Sequence, residues 1–161
     1  MALSLLRGVL ARAVRRIGGA RLGVVVIGRV VSSAQCRLHR WTGGRISLTG
    51  RAPVLLLTTR GRRSARERTV PVFYLRDADR LVVCNVDSGF ERPNPWTLNL
   101  RAEPRAHVEI GRARSEVVAR EATADELDRY WPRLTELWPA FQVHASRGGR
   151  RSVFVLDPME R

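Results

Sequence analysis

Val54-Leu55-Leu56-Leu57-Thr58-Thr59-Arg60-Gly61-Arg62-Arg63-Ser64-Ala65-Arg66-Glu67-Arg68-Thr69-Val70-Pro71-Val72-Phe73-Tyr74-Leu75 is an apolar run, a basic bend and a β-branched and aromatic run, in that order. Val54 to Thr59 is too short and too apolar for a surface helix and reads as a buried strand, and Thr69 to Leu75 reads as its partner. Pro71 lacks a backbone N–H, so the second strand should be an edge or carry a bulge at that point. The bend between them holds a glycine, a serine hydroxyl and the arginines Arg60, Arg62, Arg63, Arg66 and Arg68. Backbone N–H groups, a hydroxyl and forked guanidinium groups are the parts of a phosphate cradle. The same arginines also suit a solvated surface loop.

Working outward, Asp77-Ala78-Asp79 turns the chain into a third strand, Leu81 to Val86. Asn94-Pro95 reads as a helix N-cap with proline at the first helical position, opening a short helix through Leu100 that Pro104 ends. Strands follow over Ala106 to Ile110 and Ser115 to Arg120, joined around Gly111. Thr123 with Glu126 is a capping box. The helix it opens carries Leu127, Tyr130, Trp131, Leu134, Leu137 and Trp138 at helical spacing, with Pro132 a candidate kink. Ser152 to Leu156 is a last strand. Short strands that neither alternate with helices nor repeat argue for a small closed or partly closed barrel.

On the N-terminal side, Leu6, Val9, Leu10, Ala13, Val14 and Ile17 fall on one helical face and Arg12, Arg15 and Arg16 opposite. Such a helix either meets an anionic membrane surface through residues 1–21 or packs on its own domain. A second helix is expected from about Val24 to Trp41, stopping at Gly43 and Gly44. The expected organisation is therefore basic helices over 1–42 and a barrel over 43–161. With 161 residues, 44% of them hydrophobic, the chain suffices for one core. All 29 basic residues are arginine, and no acid precedes Glu67, so the net charge of +14 resides in the first 66 residues. A one-signed field of this kind concentrates anionic partners. Cys36 and Cys84 have no metal-ligand spacing and suggest neither zinc nor disulfides. With no cleavable signal and with arginines interrupting every apolar run, a cytoplasmic protein is expected, peripheral on the inner membrane face should the first helix bind lipid.

Taken together, Val54 to Thr59, Gly61-Arg62-Arg63-Ser64, Arg68-Thr69-Val70-Pro71, and Trp96 with Asn99-Leu100-Arg101-Ala102-Glu103-Pro104 resemble the deazaflavin-dependent nitroreductase family, a likeness running from about His39 to Pro158. The resemblance implies a mainly β, α+β fold: a split β-barrel related to FMN-binding and flavin reductase-like barrels, with N-terminal helices and a C-terminal helix. It implies an oxidoreductase that binds coenzyme F-420, whose phosphate, lactate and oligoglutamate tail is strongly anionic, and passes hydride to a quinone-like or nitroaromatic acceptor. Arg63, Ser64 and Arg68, with Arg62 beside them, would hold the tail phosphate. Thr69, Val70 and Phe73 would line the path to the ring. Cys84, Asn85, Val86 and Asp87 would flank one side of it, and Pro95, Trp96 and Asn99 the other. Asn99 also suits a buried amide that satisfies backbone groups.

Trp138, Phe141 and His144 stand where nitroreductase members of that family carry tyrosines lining the acceptor site. They are the candidate substrate wall, although Trp138 and Phe141 also fit core positions. His144 is the candidate proton donor, or a surface histidine. Ala65 stands where the family usually has glycine, Thr97 where an aromatic is common, and Val86 where a small hydroxyl residue is found. These departures favour a quinone or another planar apolar acceptor over nitroimidazole compounds. The alternatives are an FMN- or haem-binding barrel and a non-catalytic deazaflavin carrier. A nucleic-acid role has no recognition motif to support it, and a homodimer is compatible with the fold.

Overall fold

The computed structural model describes residues 34, 36–42, 52–87 and 93–159. The helix expected over 3–17 and most of that expected from Val24 lie outside these residues. The chain separates into two compact units, Met1–Ala34 and Gln35–Arg161. In the second, helix α1 spans residues 36–42. Six strands follow: β1 (Val54–Arg60), β2 (Glu67–Asp77), β3 (Arg80–Val86), β4 (Arg105–Ile110), β5 (Ala113–Glu121) and β6 (Arg151–Pro158). Between them lie α2 (Pro95–Ala102), α3 (Ala124–Leu137) and α4 (Ala140–Ser146). The strands close a barrel in the order β1-β2-β3-β6-β5-β4 with every pairing antiparallel. No described helix is long and apolar enough to cross a membrane.

The period-two alternation of each strand sorts the core into two layers. Leu55, Leu57, Val72, Leu81, Val83, Val108, Val117, Ala119, Phe154 and Leu156 fill the barrel, joined by Trp96 and Leu100 of α2. These two are four residues apart, on one helical face, and α2 is thereby a plug rooted in the barrel. Trp96 packs on Phe154 with ring centroids 5.8 Å apart. On the outside of β2, β3 and β6, Phe73, Leu75, Val82, Cys84, Val153 and Val155 meet Leu127, Tyr130, Trp131, Leu134 and Phe141 of α3 and α4. Each large apolar side chain so buried stabilises the fold by about 1.5–3 kcal/mol.

Local chemistry sets the ends. The Thr123–Glu126 capping box is formed, and Glu126 also pairs with Arg120. Pro132 lies inside α3, which runs on to Leu137; Trp138 is its C-cap, and Pro139 then opens α4. Tyr130 is fully buried and donates its hydroxyl to Asp77 at 2.7 Å, tying α3 to the β2–β3 turn. Ala78 in that turn has φ 55°, and Gly111 begins the β4–β5 turn at φ 62°. Asn94 occupies the N-cap of α2, but its side chain does not cap; its carbonyl accepts from Thr97 N–H and Oγ1 instead. Arg40 of α1 holds Glu109 on the outer face of β4 at 2.8 Å, while the buried His39 beside it has no partner for Nε2 among the described residues.

Candidate active site

β1 and β3 end, and β2, β4 and β6 begin, at one mouth of the barrel. There β2 is paired with β1 from Glu67 to Phe73, but with β3 only from Tyr74 to Asp77. Beyond Val83, β3 has left β2 while still paired with β6 through Val86. A seam therefore opens between the upper halves of β2 and β3. Pro71 sits on this unpaired edge, where a missing N–H costs nothing, as its chemistry requires. The seam is bordered by Arg68 to Phe73 on one side and Cys84 to Asp87 on the other. The arginine loop joins the end of β1 to the start of β2, and α2 closes the barrel mouth beside it.

The loop is held by its own backbone. Gly61 N–H donates to the Arg66 carbonyl at 2.8 Å, and the Ser64 and Ala65 amides donate to the Gly61 carbonyl at 3.2 and 2.7 Å. A Cβ on Gly61 would stand 2.7 Å from Ser64 Oγ and 3.2 Å from the Arg66 carbonyl, so this position has no room for a side chain. Ala65 has φ 54°, the left-handed conformation that glycine adopts without strain, which explains why glycine is the expected residue there. Arg62 N–H donates to Asn99 Oδ1 at 3.2 Å. The amides are thus largely spent within the protein, and anion binding falls to the side chains rather than to a backbone cradle.

Five arginines gather on this loop and its stems. Several arginines elsewhere are paired with carboxylates: Arg80 and Arg120 with Asp157, Arg101 with Glu121, and Arg129 and Arg133 with Asp77. Among the described residues no carboxylate lies within ion-pairing distance of Arg60, Arg62, Arg63, Arg66 or Arg68. An uncompensated cluster on a pre-shaped loop suits a polyanion, because little ordering remains to be done on binding. A separate cleft of about 260 Å³ opens over β1 and β4 beside Arg60 and Arg105, but Glu67, Glu103 and Glu116 also line it and would repel such a ligand.

Across the seam, Asn85 donates to Asp87 at 2.7 Å and accepts from Asn94 at 3.3 Å, which joins the end of β3 to the start of α2. Cys84 faces the outer cluster, and burial pushes its thiol up to about 12, so it is an apolar wall group and not a thiolate. Thr69 shares a 2.8 Å hydroxyl contact with Thr58, and Val70 packs against the barrel core. Pro95 starts α2, whose Trp96 and Asn99 are buried. Phe73 stacks on Trp138 at 4.6 Å, with Phe141 edge-on at 6.4 Å. His144 is half-buried on α4, where its carbonyl accepts the Gly149 N–H. The predicted residues of the loop, of both seam edges and of the aromatic wall are therefore contributed by adjoining elements. Thr59 and Asn94 support them; the N-cap place of Asn94 was expected from the sequence, but its side-chain bond to Asn85 and that of Thr59 to Asn99 were not, since those partners are remote in sequence.

A family profile described as F420H(2)-dependent quinone reductase matches residues 29–158. The chain is 32% identical over 103 residues to an F420H(2)-dependent quinone reductase of Mycobacterium tuberculosis, covering 62% of this chain and 69% of that one. Among solved structures it is similar to an F420-H2 dependent reductase, with a TM-score of 0.59 and 24% identity over 65% of this chain and 94% of the other. It shares the fold, at a TM-score of 0.52 and 14% identity, with a haem storage protein of Vibrio cholerae, covering 69% of this chain and 84% of that one. A barrel of this kind thus serves more than one cofactor, and what singles out this chain is the match over most of its length together with the uncompensated loop. It belongs to the F420H(2)-dependent quinone reductases, oxidoreductases that draw on the reduced deazaflavin coenzyme F-420.

Proposed function

We propose that Arg62, Arg63, Ser64 and Arg68 hold the anionic tail of F-420, and that the deazaflavin ring lies along the seam. Thr69, Val70 and Phe73 form one border of its path. Cys84 to Asp87 form the second, with Pro95 and Trp96 at the barrel mouth. The observation that carries this reading is the cluster of arginines without carboxylate partners among the described residues, placed where the seam opens. When bound, the reduced coenzyme supplies two electrons as a hydride.

The protein's part is placement and electrostatics. The apolar side chains along the seam keep water from the acceptor, and the outer aromatic group of Phe73, Trp138 and Phe141 offers flat faces to a quinone. Quinone reduction builds negative charge on oxygen, which a nearby donor stabilises. His144 lies one turn beyond Phe141 on α4, and we assign to it the proton that the reduced oxygen requires. Residues 1–21, with their basic amphipathic pattern, provide a peripheral contact with an anionic membrane, where apolar quinones reside.

Fluorescence of oxidised F-420 should change on titration with protein. Arg63→Ala or Arg68→Ala should weaken binding at least about tenfold, as expected when a charge-assisted hydrogen bond is lost. An absence of any fluorescence change at micromolar protein rejects the proposal. Steady-state oxidation of reduced F-420 across quinones, nitroaromatics and enones then identifies the acceptor class.

A further inference from the structure

We infer that Asn99, backed by Thr59, is a positioning residue that holds the arginine loop in its anion-receiving form without itself touching the coenzyme. This rests on the reading of the loop as the tail site. Asn99 is 4% exposed and Thr59 1%. The Arg62 N–H can only donate, so the amide of Asn99 turns its oxygen to that group, at 3.2 Å, and its nitrogen to Thr59 Oγ1, at 3.1 Å. Both ends of the side chain are thereby occupied inside the protein.

Other hydrogen bonds made by residues 61–66 close the loop on itself. Among the described residues, the bond from Arg62 to Asn99 is the one that ties those residues to another element. Its stems, Arg60 and Glu67, are paired in the β1–β2 ladder, and this bond is what holds the loop against α2. Asn99 is in turn fixed by α2, which Trp96 and Leu100 root in the barrel core. The chain of support runs from core to helix to amide to loop. Without it, the guanidinium groups would have to be ordered at the moment of binding, and affinity would fall. The same clamp sets the distance between the loop and the helix that borders the ring.

The test replaces Thr59 by valine, which keeps the shape but removes the acceptor and leaves the amide nitrogen of Asn99 without a partner. Thr59→Ser is the conservative rescue, and Asn99→Leu removes both bonds. F-420 affinity is read by fluorescence, and the Arg62, Arg63 and Ser64 amide resonances are followed on addition of inorganic phosphate. Thr59→Val should weaken F-420 binding about tenfold, raise the coenzyme KM by a similar factor, and leave kcat at saturating coenzyme within about twofold. Thr59→Ser should restore the wild-type values. Should valine fail to fold there, Thr59→Ala takes its place.

Wild-type affinity in both Thr59→Val and Asn99→Leu overturns the inference, as does a collapse of kcat at unchanged KM, which would mark direct contact with the reacting ring. The phosphate arm separates the two levels of the argument. Phosphate-induced shifts in the wild type that vanish in Thr59→Val support the clamp even where F-420 does not bind, in which case the coenzyme reading alone falls. An absence of shifts in a wild type that binds F-420 overturns the clamp and leaves the coenzyme reading standing.

Discussion

Ala65 carries a backbone strain that its neighbours impose. Its φ of 54° follows from the bonds that bring the Ser64 and Ala65 amides back to the Gly61 carbonyl. A Cβ in the left-handed region costs about 1 kcal/mol, which glycine avoids at some expense in unfolded-state entropy. Ala65→Gly should therefore raise stability by up to about 1 kcal/mol, seen as a higher midpoint in urea unfolding; a lower midpoint would show that the loop gains from the methyl group. His144 offers a second test at this scale. His144→Ala should lower kcat for quinone reduction by about tenfold or more while F-420 titrations stay unchanged. Unchanged kcat would assign the proton to solvent. The composition of the loop was legible because arginine, glycine and proline announce their chemistry locally. A buried amide at Asn99 was among the readings of the sequence, but its partners Arg62 and Thr59 were not, because they are remote in sequence and nothing local specifies the contacts.

Among the elements, α3 is the best specified from end to end. Its capping box, its apolar stripe and its Tyr130–Asp77 tie all act on one helix. The Arg120 guanidinium, with help from the Thr123 N–H, holds the Glu126 carboxyl down at about 2 from its usual 4.5. A folded-state value below the unfolded one means stability that is complete above pH 4.5 and lost as pH falls toward 2. Glu126→Gln should thus cost about 1 kcal/mol at pH 7 and much less near pH 2, compared by urea unfolding at both values. A difference that is constant with pH would place the effect in helix propensity rather than in charge. Strands and caps of this kind are visible in sequence because alternation and capping are local. Two features were not. Trp138 lies beyond the end of α3 because Pro139 cannot continue the helix, and the Asn94 amide turns to Asn85 where a cap was expected.

At the scale of the whole molecule, closure of the barrel was foreshadowed by six short strands, but the order β1-β2-β3-β6-β5-β4 and the parting of β2 from β3 depend on register. Register arises from packing between distant segments and leaves little trace in a single strand. Charge is distributed at this scale too, since the excess of +14 lies before Glu67. Removing residues 1–21 should abolish co-sedimentation with anionic liposomes while leaving F-420 titration unaltered. Unchanged pelleting would locate lipid contact elsewhere or nowhere.

The seam gives the proposed enzyme a particular economy of motion. The interior is already full of leucine, valine, phenylalanine and tryptophan, and the proposed berth is instead the wall where two neighbouring strands part company. A berth on the wall can be vacated without unzipping any ladder. On this reading the coenzyme comes and goes between turnovers, and the polypeptide behaves as a docking station for a mobile reductant rather than as its permanent owner.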